Sequence, residues 1–548
     1  MSKKNYAAAY AAFDLAHLQS QFHGSFANGI NACVECCDRW AQGHATALNY
    51  VGADGASRSL SFAQLQGEAA RFANLLTRLG VKPGDVVAGM LPRVPELLVT
   101  ILGTWRAGAV YQPLFTAFGP KAIEQRLLTS SARLVVTDAS NRPKLEGLSM
   151  HPHIAVVHRQ AGEAALPGDL DFAASIKTES DHFAPVLRKQ TDLFLLMSTS
   201  GTTGLPKGVP VPLHALLSMR AYMVDSIDLC PEDKFWNIAD PGWAYGLYYA
   251  VTGPLLLGHA TTFYDGPFTV ESTYGVIERL GITNLAGAPT AFRLLIAAGA
   301  GPASKLKGKL RVVSSAGEPL NPEVIRWFEE VLGAPIRDHY GQTETGMTVC
   351  NHHALDHKVH QGSAGRALPG YQVAVLDEAG HVLGPHQPGV LAVNIAASPL
   401  HFFHGYLNQP TPAIAGDWYR TGDSVELEPD GTITFVGRSD DIITSAGYRI
   451  GPFEVESALI EHGAVVESAV VGKPDPERTE IVKAFVVLKP QFVQSAELAE
   501  ELQDFVKKRL SAHAFPREVE FVTQLPKTPS GKLQRFILRD QEIAKAKA

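Results

Sequence analysis

The stretch Leu195-Leu-Met-Ser-Thr-Ser-Gly-Thr-Thr-Gly-Leu-Pro-Lys-Gly208 constrains the chain most, because an apolar run gives way within a few residues to hydroxyls, three glycines and one lysine. Thr191 to Met197 is short, apolar and unbroken, as a strand covered on both faces should be. Ser198 to Gly208 offers backbone N–H groups, hydroxyls and a cation, the donors that anionic oxygens need. The pair reads as a buried strand running into a phosphate loop. It is not the Walker loop, since Pro206 stands where the second glycine belongs and Gly208 where the metal-binding hydroxyl belongs. A flexible linker is the alternative, but linkers do not normally follow a buried strand or carry one placed lysine.

A chain of 548 residues has room for a large core and several domains. Its 45% apolar and 19% charged residues are ordinary globular values, and a net charge of −7 argues against a nucleic-acid scaffold. The odd set Cys33, Cys36, Cys37, Cys230 and Cys350 is no disulfide framework and fits a reducing cytoplasm. Cys33 and Cys36 lack a second pair at zinc spacing, and their apolar flanks read as a packed helix. His352, His353, His357 and His360 read as a solvated polar loop rather than a metal site. The N-terminus shows no secretory signal. Residues 242–264 lack Asp, Glu, Lys and Arg, but their glycines and Pro254 favour a buried helix and loop over stable membrane insertion.

Alternation of helix and strand patterns implies an α/β fold with mostly parallel sheets and helical layers. Ser61 and Gln64 form a capping box for a helix in which Leu65, Ala69, Phe72, Leu76 and Leu79 share one face and Gly80 closes the end. Strands follow at residues 86–91, 110–112 and 134–137, with helices at 96–107 and 122–128 between them. After the phosphate loop come helices at 274–280 and 290–298, strands at 282–286 and 311–314, and a helix capped by Asn321 with Pro322 in its first turn. A strand at 336–339 ends on Tyr340-Gly-Gln-Thr-Glu-Thr345. Ligands of open α/β sheets gather beyond the carboxyl ends of strands, so Ser198–Gly208, Ser315–Pro319 and Tyr340–Thr345 could face one crevice. Residues 372–435 read as a small barrel-like β unit. A domain boundary falls at Ser439–Asp441, dividing a large N-terminal domain, residues 1–439, from a small mobile α+β domain, residues 440–548.

Ser200-Gly-Thr-Thr-Gly-Leu-Pro-Lys-Gly208, Tyr340–Thr345, Tyr419-Arg-Thr-Gly-Asp423, Gly437-Arg-Ser-Asp-Asp441 with Gly447-Tyr-Arg449, and Pro526-Lys-Thr-Pro-Ser-Gly-Lys532 closely resemble, in this order, the motifs of the AMP-forming acyl-CoA synthetases, members of the adenylate-forming superfamily. The resemblance implies a ligase that uses ATP, Mg²⁺ and coenzyme A. A carboxylate attacks the α-phosphate to give acyl-AMP and pyrophosphate, and the thiol of coenzyme A then displaces AMP. By the same resemblance, Thr199, Ser200, Gly201, Thr202, Thr203, Gly204 and Lys207 hold the β- and γ-phosphates. Glu344 helps bind Mg²⁺, and Thr343 touches the α-phosphate. Gly317, Glu318 and Pro319 line the adenine, with Tyr340, Gly341 and Gln342 beside it and Tyr340 stacking. Asp423 accepts from the ribose hydroxyls near Arg438.

Lys532 resembles the lysine that bridges the acyl carboxylate and the ribose or α-phosphate, where a point charge on a flexible stem can neutralise two anions. Asp440 is the implied hinge. Rotation about it withdraws Lys532 and brings Gly447 to line the pantetheine tunnel, while Arg449 contacts phosphate. Trp243 and Tyr245 are the implied walls of the acyl pocket. Acetate-specific relatives carry tryptophan where this chain has Gly341, so the pocket is expected to admit several more methylenes, each worth about 0.8 kcal/mol when buried. The chain looks most like the medium-chain synthetases, and the expected substrate is a small-molecule short- to medium-chain fatty acid. The alternatives are an aromatic, benzoate-type acid, or a carrier protein loaded in trans, since no carrier domain follows Ala548. The expected assembly is a monomer or homodimer. A lysine acyltransferase acting on Lys532 would switch the enzyme off by deleting its charge.

Lys532→Ala is expected to remove most adenylation, measured by pyrophosphate exchange, and to leave thioester formation from supplied acyl-AMP largely intact. Chemical acylation of Lys532 should show the same signature. Equal loss of both half-reactions would make the lysine structural.

Overall fold

The computed structural model describes residues 3–160, 163, 165–200, 206–446, 448–511, 513–528 and 532–547, with the side chains of Ser200, Arg449 and Lys547 outside that description. Two sheets carry the N-terminal part. The first has seven strands in the order Pro206–Pro212, Leu193–Ser200, Val110–Pro113, Val86–Met90, Leu134–Asp138, His153–Val157 and Leu170–Asp171. Its pairings are parallel except for the first, an antiparallel hairpin. Pro206–Pro212 is thus an edge strand lying antiparallel to Leu193–Ser200, and residues 201–205 of the expected phosphate loop lie outside the described residues. The second sheet has six strands in the order Phe235–Asn237, Asn284–Gly287, Val312–Ala316, Ile336–Gln342, Gly346–Cys350 and Arg366–Ala367, the first four parallel.

The helix at Phe62–Arg78 shows how sequence sets local structure. Its capping box forms between Ser61 and Gln64, and Leu65, Ala69, Phe72 and Leu76 are fully buried. Each such leucine or phenylalanine contributes about 1.5–3 kcal/mol on burial. Cys33, Cys36 and Cys37 are buried free thiols on or next to the helix Ala32–Cys36, as a packed helix requires. The uncharged stretch after Trp243 becomes short buried helical turns from Ala244 to Leu256 and then the strand Thr261–Asp265. Gly246 lets two backbones meet there, because a Cβ would stand 2.1 Å from the Asp240 carbonyl oxygen. Among the described residues, no helix is long and apolar enough to cross a membrane.

Three expectations need correction. The strand beginning at Ile336 does not stop at His339 but runs to Gln342 and folds into a hairpin with Gly346–Cys350. Asn321 occupies the cap position, but its side chain makes no capping bond and its amide donates instead to Ser457 Oγ at 2.9 Å. His352 and His353 are fully buried, not solvated. His352 meets Ser226 Oγ at 2.9 Å and His353 meets the Val313 carbonyl at 2.9 Å, so hydrogen bonding satisfies imidazoles that sequence read as loop.

The β unit is an antiparallel sheet of five strands between Val373 and Arg438, packed against Val349 and Tyr340. A small C-terminal domain follows with its own sheet. In it Val465–Asp475 and Thr479–Leu488 form a long hairpin beside the helices Pro452–Ile460 and Ala496–Arg509. Asn321 with Ser457, Arg326 with Glu461 at 3.9 Å, and Phe435 with Phe453 at 6.3 Å between ring centroids link it to the large domain.

Burial holds the His339 imidazole down at about 3, and pushes His352 and His353 well below the ordinary histidine range. These rings are neutral when folded but bind protons when unfolded below about 6.5, so the unfolded state gains as pH falls from about 6.5 towards 3. Melting midpoints should therefore drop on acidification in that window. His339→Gln should flatten the dependence by up to about 1.4 kcal/mol per pH unit, one proton's worth. An unchanged slope would show that His339 titrates normally.

Candidate active site

Asp423 and Arg438 are opposed residues on the neighbouring strands Trp418–Leu427 and Ile433–Arg438, which places carboxylate and guanidinium together at 3.2 Å. The hairpin from the second sheet supplies the other partners. Tyr340 donates its hydroxyl to Asp423 Oδ2 at 2.5 Å, and Gln342 donates to the same oxygen at 2.7 Å and to the Thr421 carbonyl at 3.0 Å. Asp423 is 5% exposed. A carboxylate offers about four acceptor positions. Two on Oδ2 and one on Oδ1 are filled from within the protein, so a ligand with two hydroxyls must share or displace a donor.

The turn Thr343–Thr345 is fastened on both sides. Tyr248 donates to the Thr343 carbonyl at 3.0 Å, which ties the turn to the buried helical stretch after Trp243. Tyr406 donates to Glu344 Oε1 at 2.8 Å, and Tyr419 donates to Gln342 Oε1 at 2.8 Å. Burial pushes the Glu344 carboxyl above its usual range, while the Tyr406 bond and the nearby Lys207 charge pull it back. Lys207 faces Thr199 across the hairpin and holds its ammonium 4.8 Å from the Tyr406 ring centroid. Ser200 as a side chain, and Gly201, Thr202, Thr203 and Gly204 altogether, lie outside the described residues.

Gly317 follows the carboxyl end of Val312–Ala316 with φ of +100° and open space where a side chain would stand. The neighbouring Glu318 carboxylate is engaged by Thr290 at 2.8 Å and Arg293 at 3.0 Å. Trp243 packs against Phe115 and Phe118 at 5.2 and 5.5 Å, and Tyr245 against Tyr249 at 5.7 Å. The two presumed walls thus sit in different aromatic clusters. Gly341 also differs from expectation. A Cβ there would lie 2.2 Å from the Gly346 carbonyl oxygen and 2.7 Å from Met347 Cα, so the returning strand fills that direction and the missing indole does not by itself open a cavity.

Lys532 is exposed; its N–H donates to Thr528 Oγ1 at 3.0 Å and its carbonyl accepts from Thr528 N–H at 2.8 Å. No hydrogen bond or ion pair among the described residues joins it to Lys207, Glu344 or Asp423. The helix Arg535–Lys547 begins just beyond and grips the presumed hinge. Arg539 donates to the Asp440 carbonyl at 2.5 Å and to Asp441 at 3.0 Å, while Arg535 binds Glu456 at 2.8 and 2.6 Å. Asp440 also lies 3.6 Å from Arg438. Gly447 and the Arg449 side chain are outside the described residues.

The family model described as "AMP-binding enzyme" matches residues 37–407, and its C-terminal domain matches 454–532. The chain belongs to the AMP-binding enzymes, and among them to the AMP-forming acyl-CoA synthetases. The acetyl-coenzyme A synthetase of Bacillus subtilis is 40% identical to this synthetase, covering 98% of the chain and 95% of that relative. A crystal structure of Brucella canis acyl-CoA synthetase is 61% identical with a TM-score of 0.81, covering 99% of this chain and all of that one. The anthranilate CoA ligase AuaEII, solved with anthranoyl-AMP, is 28% identical with a TM-score of 0.84, covering 94% and 98%.

Sequence reasoning missed Tyr406, Tyr419 and Tyr248 in this synthetase. Tyr419 opens the Tyr419–Asp423 motif and could have been found there. Tyr406 is marked only by the preceding Gly405, whose φ is +140°. Gly341→Ala is expected to push the Ile336–Gln342 hairpin apart, lowering the melting midpoint and cutting AMP formation at least tenfold, because a backbone must move rather than a side chain. Wild-type stability and turnover in that variant would contradict the packing described.

Proposed function

We propose that this synthetase adenylates a short- to medium-chain carboxylic acid and transfers the acyl group to coenzyme A. The observation that carries the reading is the convergence of Lys207, Glu344 and Asp423, from three separate parts of the chain, through Tyr406, Gln342 and Tyr340. In the first step an oxygen of the substrate carboxylate attacks the α-phosphorus, the bond to the bridging oxygen breaks, and pyrophosphate leaves. Lys207 and the hydroxyls around it take the charge on the leaving phosphates, and Thr343 the α-phosphate. Asp423 accepts from the ribose, with Arg438 balancing its charge. Gly317 offers an uncluttered floor to the adenine, and Tyr340 its ring.

Glu344 fits a hard divalent cation such as Mg²⁺, being a buried carboxylate whose ionised form burial alone disfavours. That ion would neutralise phosphate charge and help orient the leaving group. Lys532 then bridges the two reacting anions. In the second step the coenzyme A thiolate attacks the acyl carbon and AMP leaves, with Gly447 and Arg449 beside the pantetheine and its phosphates.

We place the domain boundary at Ser439–Asp441 with Asp440 as the hinge. The grip of Arg539 and Arg535 on Asp440, Asp441 and Glu456 supports this, because it ties the helix that follows Lys532 to the small domain. The free thiols support a cytoplasmic location.

A second reading, an aromatic acid, is favoured by the Phe115, Phe118 and Trp243 cluster and by the likeness to the anthranilate ligase. The Bacillus relative acts on acetate by its name, which makes acetate the lower bound of the panel. Pyrophosphate exchange with acetate, butyrate, hexanoate, octanoate and benzoate is expected to peak between butyrate and octanoate, with free coenzyme A as acceptor. A peak at acetate or benzoate, or transfer only to a carrier protein, would replace the fatty-acid reading by the corresponding alternative.

A further inference from the structure

We infer that Tyr406 is a positioning residue for the nucleotide half of the site, joining the carboxylate that fits the metal to the lysine that meets the phosphates. The inference rests on the adenylation reading above.

One phenol makes both contacts. Its hydroxyl donates to Glu344 Oε1 at 2.8 Å, and its ring carries the Lys207 ammonium 4.8 Å from the centroid. The three residues come from the β unit, the second sheet and the first sheet, so no local sequence pattern couples them. Tyr406 is itself held. Its N–H donates to Thr411 Oγ1 at 2.8 Å, and its ring meets Phe403 edge-on at 5.0 Å. The next residue, Leu407, donates its N–H to the Gly208 carbonyl at 2.9 Å, one position beyond Lys207. A Cβ on Gly208 would lie 3.2 Å from Leu407 Cβ, so the Tyr406 segment and the phosphate-loop strand are packed directly together.

Each contact removes a freedom that nucleotide binding would otherwise have to remove. A glutamate has several rotamers, and the bond from Tyr406 selects one that holds Oε1 at the phenol. A lysine has a long mobile stem, and the ring face holds its ammonium beside Glu344. An ammonium binds phosphate oxygens more strongly than a ring face, so Lys207 can pass from Tyr406 to the nucleotide on arrival. Tyr406 therefore acts through Glu344 and Lys207 and not on the acyl group.

Binding calorimetry with a non-hydrolysable ATP analogue, with and without Mg²⁺, separates the two contacts. Y406F keeps the ring and loses the hydroxyl. It should bind the metal-free analogue like the wild type but lose roughly tenfold of the affinity that Mg²⁺ adds, the effect of one bond to a charged group. Y406L loses both contacts and should also weaken metal-free binding; if it does not fold, Y406F decides alone. In steady-state assays the KM for MgATP should rise while the KM for the acid stays constant. Retention of the full Mg²⁺ increment by Y406F, or equal loss with and without metal together with a changed acid KM, would overturn the inference while leaving the adenylation reading intact. Absence of Mg²⁺-dependent binding in the wild type would overturn both.

Discussion

The Asp423 carboxylate is where the site is fastened. It is nearly inaccessible to water, and Arg438, Tyr340 and Gln342 all point donors at it. The bonds reach from the antiparallel β unit to the hairpin of the second sheet, so they set how the two layers meet. Removing a donor would leave part of a buried charge unsatisfied, which costs about 1–3 kcal/mol. On the proposed reading the same carboxylate also accepts from the ribose, so structural fastening and nucleotide recognition would draw on the same few acceptor positions.

From this point the polar contacts run in a continuous line. Arg438, Asp423 and Gln342 lead to Tyr419, while Glu344, Tyr406 and Lys207 continue along the far side of the same turn. Behind them the apolar support is dense. Tyr248 and Tyr249 hold the hairpin from the buried helical stretch, through the Thr343 carbonyl and the Met347 N–H. Tyr222 holds His339 at 2.8 Å, one residue before Tyr340. Such packing resists continuous deformation and keeps a charged constellation in one geometry.

The small domain is organised differently. Its own core is separate, and among the described residues it is tied to the large domain by Asn321 with Ser457 and Arg326 with Glu461. The terminal helix is bound through Arg539 to Asp440 and Asp441, where the domains join, and through Arg535 to Glu456. A lysine carried on that unit moves with the unit as a whole, which is what the proposed hinge at Asp440 would use.

Motif order, helix caps and apolar periodicity determined a good deal. The capping box at Ser61, the alternating strands and the two-part layout were all legible, because each depends on neighbours within a few positions. What tertiary structure decided depends on residues far apart in the chain. Periodicity could not show that His352 and His353 are buried, since their partners Ser226 and Val313 come from other elements. Nor could it show that the strand at Gly346 fills the space beside Gly341. Tyr406 was invisible for the same reason: a tyrosine gains its role only when folding sets a glutamate against its hydroxyl and a lysine against its ring.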